Sequence, residues 1–253
     1  MAEVKYGIVK ATPSLPARDL LFPIEGNDLA LGWPAFGPNN YNSNLTEMQK
    51  VSTHSPNRSS ISFREPTTSE SISAVAYDVA KIKAEILDPR WLQLGVIVRT
   101  SEGVYVNPPR DKGNVITDEG KLKSILAKKN KVNGIYLGDN EFGFAPYESF
   151  PTGVQDADTF THGGLARVLE HSSKKSAKNL AKIASSKVYP RGVNVFGFDK
   201  VEQPIVRVAS LVSVRYLGGS GLYVDGGDWG NIYGGFAFGV LVSADEVSVP
   251  KKI

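Results

Sequence analysis

The chain has 253 residues, 41% of them hydrophobic and 22% charged, with a formal net charge of +3 at pH 7. That length allows one large domain or two small ones, and that hydrophobic share is enough to bury a sizeable core. The slight charge gives no nucleic-acid footprint, and the absence of cysteine excludes disulfides, cysteine-ligated metal and thiol chemistry.

Residues 1–20 hold no apolar core of signal-peptide length, and no segment approaches a membrane span. The expectation is a soluble protein without membrane insertion, either cytoplasmic or carried to a virion or cell surface by another component. Val4 to Thr12 reads as a first strand, with Tyr6, Ile8 and Val9 apolar. Pro13 to Asn44 is rich in Pro, Gly and Asn and reads as irregular, anchored by Leu20-Leu21-Phe22 and by Leu29 to Trp33. Asn44-Leu45-Thr46 and Asn57-Arg58-Ser59 match the glycosylation pattern, which is short enough to arise by chance. Ser52 to Arg58 reads as a polar loop.

Thr67-Thr68-Ser69-Glu70 is a helix start, and Ile72, Val75, Ala76 and Val79 follow at helical spacing. Trp91 to Thr100 is a continuous apolar run expected as a core strand. Gly103 to Asn107 is a second strand, and Pro108 to Gly113 a turn. Thr117-Asp118 caps a short helix carrying Leu122, Ile125 and Leu126, with Lys128, Lys129 and Lys131 at its C-terminal end. Gly134 to Leu137 and Phe142 to Ala145 form a strand pair turning at Gly138-Asp139-Asn140. Asp156 to Ser186 is helical, with one apolar stripe at Leu165, Val168 and Leu169 and another at Ala177, Leu180, Ala181 and Ala184. Gly163-Gly164 loosens the first helix start or admits a close neighbour. Lys174, Lys175, Lys178 and Lys182 are expected on the second helix; the run could contact phosphate but reads as a solvated face.

The chain is organised around its end. Ile205, Val206, Val208 and Leu211 open a strand, and Phe236, Phe238, Val240 and Val242 close one in strict alternation. Between them, Val212 to Gly234 is dense in Gly, Ser, Tyr, Asp and Asn, the residue types of adaptable binding surfaces. It contains no Lys, Glu, Gln or Met. An asparagine codon randomised at its adenines yields Gly, Ser, Tyr, Asp, Asn, Arg, Val, Ile and Leu, but never Lys, Glu, Gln, Met or Trp. Composition leaves two readings open: a diversified segment with Trp229 fixed, or a glycine-rich surface loop.

Asn194-Val-Phe-Gly-Phe-Asp199, Arg207-Val-Ala-Ser-Leu211 and Gly235-Phe-Ala-Phe-Gly239 resemble the C-terminal half of C-type lectin-like domains of the formylglycine-generating-enzyme type. Taken with Val212 to Gly234, the stretch resembles the variable proteins of diversity-generating retroelements. Gly-Leu-Ala-Arg167, Gly-Val-Asn194 and Phe-Ala-Phe-Gly-Val-Leu241 resemble the archaeal branch of that group. The resemblance covers residues 160–241.

It implies an α+β, C-type lectin-like fold of short antiparallel strands with two or more helices. One domain is expected over 1–253: an irregular part at 1–60, a scaffold at 61–204 and a variable ligand-binding stretch at 205–241. The strands Ile205 to Leu211 and Gly235 to Ser243 would hold the variable residues on one solvent-facing patch. Ligand contact falls by position on Arg215, Tyr216, Leu217, Ser220, Tyr223, Asp225, Asp228, Gly230, Asn231, Ile232 and Tyr233, as exchangeable side chains on a rigid support. Leu211, Leu222, Val224, Phe236 and Phe238 would be framework, and Trp229 framework in preference to a binding anchor.

Cysteine-dependent oxidase chemistry lacks its cysteines, and neither calcium-binding triplet of sugar-binding lectins occurs. Glu202-Gln-Pro204 reads as a turn. Asp225 and Asp228 alone make a poor calcium site. His54, His162 and His171 lack companion ligands at metal spacing, and Gly218 to Gly221 lacks the Lys-Ser/Thr of a phosphate loop. No cofactor, metal or nucleic-acid partner is expected. The preferred expectation is a non-enzymatic binding protein with a protein ligand. An enzyme of the same superfamily and a structural virion or surface protein are the alternatives.

Overall fold

The computed structural model describes residues 7–8, 18–24, 27–33, 35–50, 53–55, 58–81, 86–88, 90–127, 129, 131–213, 221–228 and 234–243. In chain order the elements are β1 (Gly7–Ile8), β2 (Arg18–Ile24), β3 (Asn27–Trp33), β4 (Phe36–Asn39), α1 (Tyr41–Lys50), β5 (Thr53–Ser55), β6 (Arg58–Arg64), α2 (Thr68–Lys81), β7 (Trp91–Arg99), β8 (Gly103–Val106), β9 (Arg110–Asp111), β10 (Asn114–Val115) and α3 (Glu119–Leu126). They continue with β11 (Lys131–Val132), β12 (Ile135–Leu137), β13 (Gly143–Pro146), a 3-10 turn (Tyr147–Ser149), β14 (Gly153–Gln155), α4 (Ala157–His162), α5 (Gly164–Leu169), α6 (Lys178–Ala184), β15 (Val193–Phe196), β16 (Ile205–Ser213), β17 (Leu222–Asp228), β18 (Gly235–Ala237) and β19 (Val240–Ser243). The architecture is α+β, mostly strands.

The single domain expected over 1–253 divides into two compact units, 1–66 with 232–253, and 67–231. The cause is long-range strand pairing. β19 pairs with β6, Leu241 facing Phe63, and with β3, Val240 facing Leu31, while β18 pairs with β4. The first unit's sheet runs β1-β2-β3-β19-β6-β5. The region expected to be irregular is therefore largely strand: β2 and β3 pair antiparallel from Arg18↔Trp33 to Ile24↔Asn27, β5 falls within the expected polar loop, and β6 begins at its last residue, Arg58. Asn44 is fully buried on α1, and its Nδ2 donates to the Gly235 carbonyl at 3.0 Å, so its side chain is not open to glycosylation.

In the second unit, local chemistry sets the helix ends. Thr67 and Glu70 form a reciprocal capping box at α2: the Thr67 N–H donates to Glu70 Oε2 at 2.8 Å, and the Glu70 N–H to Thr67 Oγ1 at 3.2 Å. Asp118 caps α3 through the Lys121 N–H, and Asp156 caps α4 through the Thr159 N–H. The helical region 156–186 breaks into α4, α5 and α6, and Lys174 and Lys175 fall in the α5–α6 connection rather than on a helix. Gly164 does admit a close neighbour: a Cβ there would lie 2.0 Å from Ser149 Oγ. Arg167, on α5, is 4% exposed and donates to the carbonyls of Lys174, Asn133 and Val132, tying that connection to β11.

The sheet of this unit runs β11-β12-β13-β8-β7-β16-β17-β15-β14. β7 and β8 occupy the predicted core strands, and β12 and β13 the predicted pair. Val98, Tyr105 and Phe144 face one another across β7, β8 and β13 and pack with Leu122 and Leu126 of α3. Ile125, expected in that apolar stripe, is 39% exposed, because Leu122 and Leu126 one turn apart already seal the short helix.

Candidate functional site

The two sides of the sheet differ at the β7-β16-β17-β15-β14 end. Residues paired across neighbouring strands share a side. On one side lie Leu92, Leu211, Val224 and Val195 in one row and Leu222 with Val193 in the next, all buried. This is the helix side. A Cβ on Gly95, whose partner is Ala209, would lie 2.9 Å from Thr68 Oγ1 at the start of α2, and a Cβ on Gly143 would lie 3.1 Å from Val168 of α5. α6 lies beside α2 in the same layer.

The other side carries Gln93, Ser210, Asp225 and Phe196 in one row, and Trp91, Val212, Tyr223, Asn194 and Val154 in the next. Its central members are buried. Toward the β14 margin the side chains open outward: Tyr223 and Asn194 are half-buried, Phe196 is 60% exposed and Val154 77%. An open depression of about 530 Å³ adjoins this margin, lined in part by Val154, Gln155, Ser186 and Arg191. Gln155 Oε1 and Ser186 Oγ are buried there without a hydrogen-bond partner.

β17 is the centre of the glycine-rich stretch, and it is not a loop. It lies between β16, antiparallel, and β15, parallel. The register slips between Val208↔Asp228 and Ser210↔Asp225, so β17 bulges at Gly226 and Gly227. Packing requires glycine at Gly226 and at the facing Gly197. A Cβ on Gly226 would lie 2.6 Å from the ring of Phe198, which is fully buried. Gly197 has φ +74°, and a Cβ there would lie 2.4 Å from the Gly227 nitrogen. The Asp225 carboxylate accepts the Gly227 N–H at 2.7 Å.

The expected contact residues separate accordingly. Asp225 is 6% exposed and supports the bulge from within, so it is not a displayed contact. Burial follows from its row, where Ser210 and Gln93 are buried beside it. Tyr223 sits on the outward-opening side. Asp228 closes β17 opposite Val208. Arg215, Tyr216, Leu217, Ser220, Trp229, Gly230, Asn231, Ile232 and Tyr233 lie outside the described residues. The expected framework positions Leu211, Leu222, Val224 and Phe238 are buried, and Phe236 is half-buried.

The seven-residue β17 spans about 20 Å at the strand rise. The strands expected to hold one patch, Ile205 to Leu211 and Gly235 to Ser243, belong to different units. Val154, Asn194 and Phe196 were outside the expected contacts. The signal for Phe196 is in the sequence: Val193, Phe196 and Phe198 cannot all face one way in a strand that then turns at a glycine.

Among the described residues, no group of three or more His, Cys, Asp or Glu side chains is placed to hold a metal ion, and no helix is long and apolar enough to cross a membrane. His162 Nδ1 meets the Asp158 carbonyl at 2.9 Å, and His171 Nε2 meets the Gly138 carbonyl at 3.0 Å. Compared with protein-family models, with curated proteins and with solved structures, the chain matches none.

Proposed function

We propose that this chain is a ligand-binding protein diversified by a retroelement, with a C-type lectin-like architecture and a protein as its ligand. The exchangeable positions are Arg215, Tyr216, Leu217, Ser220, Tyr223, Asp228, Gly230, Asn231, Ile232 and Tyr233. The observation that carries the proposal is the restricted composition of Val212 to Gly234, free of Lys, Glu, Gln and Met, running on either side of a strand whose Leu222 and Val224 are fully buried. A rigid strand with adaptable side chains at its two ends is the division of labour that a diversified binder needs. Tyrosines at those ends supply large contact area at low entropic cost, which suits a flat protein surface.

Asp225 and Gly226 belong to the fixed set, because Asp225 holds the bulge from within and the Phe198 ring leaves no room beside Gly226. The test is the DNA beside the gene. A near-identical repeat, differing at adenines within codons of the exchangeable positions and lying next to a reverse transcriptase gene, is the expected result. Absence of any such repeat refutes diversification.

A further inference from the structure

Between Glu170 and Asp199 the chain has no acidic residue. It has Lys174, Lys175, Lys178, Lys182, Lys187 and Arg191, and all six are exposed. Lys178 and Lys182 stand one turn apart on α6, whose Leu180, Ile183 and Ala184 are buried. Lys178 and Lys182 therefore project from the outer side of α6, Lys174, Lys175 and Lys187 flank that helix in sequence, and Arg191 lies at the depression beside Val154. Two like charges at this spacing repel and do nothing for the helix itself.

The nearby acids are engaged by other groups, and Glu170 alone among them feels the charge of a face lysine, Lys182. Glu170 turns its carboxylate inward, accepting the Asn179 N–H at 2.9 Å and the Leu180 N–H at 3.0 Å. Asp158, on the neighbouring α4, pairs with His162, and Asp156 caps that helix. Lys182 donates to Asn179 Oδ1 at 3.3 Å and acts on the Glu170 carboxylate through space.

We propose that this face docks the protein on an anionic lipid bilayer. Lysine dominates it, giving hydrated point charges suited to a diffuse field of headgroups rather than the forked grip of arginine on one phosphate. Among the described residues between Lys174 and Arg191 the aromatic side chain is Tyr189, which is 1% exposed and offers no ring on which nucleic-acid bases could stack. The inference rests on charge and exposure alone and stands independently of diversification.

The experiment is co-sedimentation of the full chain with phosphatidylcholine vesicles, with and without phosphatidylserine. Sedimentation is expected only with phosphatidylserine, and it falls as salt rises. Lys178→Gln, Lys182→Gln and Lys187→Gln together lower the partition coefficient on the order of a hundredfold, about fivefold per lysine. A matched variant, Lys112→Gln, Lys121→Gln and Lys200→Gln, leaves it unchanged. If the first variant loses its circular-dichroism spectrum, Lys174→Gln with Lys175→Gln in the connection gives the same test, with about a twenty-five-fold loss. Three results overturn the proposal: no sedimentation with either vesicle, equal loss in the matched variant, or retention on duplex DNA or an acidic polypeptide without vesicle binding.

Discussion

The two sides of one sheet obey different rules within a few residues of sequence. On the helix side, Leu92, Leu211, Val224 and Val195 are at most 2% exposed and form an unbroken apolar row. On the other, the pairs across the same strands run from buried Ser210 and Asp225 to exposed Phe196 and Val154. β17 serves both sides at once: Leu222 and Val224 look inward, and Tyr223 between them opens outward. Alternation along a strand separates structure from display without any change of backbone.

The comparison breaks most visibly where the apolar side depends on one ring. Phe198→Ala removes a fully buried side chain that packs on Gly226, and should cost about 3–5 kcal/mol in chemical denaturation. Gly226→Ala forces a methyl into that ring and should cost about 1–3 kcal/mol; a neutral effect would mean the bulge is free to vary. In the helix layer the effect is smaller and depends on pH. Burial raises the Glu170 carboxyl above its ordinary value, more than the Leu180 and Asn179 amides lower it. A raised acid contributes stability that is full below the ordinary glutamate range and lost as pH rises through the raised value. The melting temperature of the wild type should therefore fall slightly relative to Glu170→Gln across that window, and a relative rise would contradict the placement. The smallest effect on stability belongs to the display side. Replacing Tyr216, Tyr223 and Tyr233 together by Ser should abolish binding to a selected protein ligand while costing no more than about 1 kcal/mol, Tyr223 being only half-buried. Loss of folding would place those tyrosines in the core.

Where a structural signal is local, the sequence carries it. Thr67 and Glu70, Asp118 and Asp156 mark helix starts by side-chain chemistry within one turn, and α2, α3 and α4 begin there. The continuous apolar run of β7 and the alternation of Leu222 and Val224 are equally plain. Long-range pairing leaves no such trace. Nothing near Leu241 announces Phe63 as its partner, so the two-unit division and the strands β2 and β3 were hidden behind Pro, Gly and Asn. Gly226 and Gly227 misled in the opposite way. Glycine density suggested an open loop, whereas those two permit a bulge to pack against Phe198 and Gly197.

Sequencing the gene across sister genomes tests the separation of frame from display most directly. Substitutions at adenine positions in codons 215–217, 220, 223, 228 and 230–233, with Leu222, Val224, Asp225, Gly226 and Trp229 unchanged, are the predicted result. Changes spread evenly along 205–241, or falling on the buried positions of β17, would contradict it.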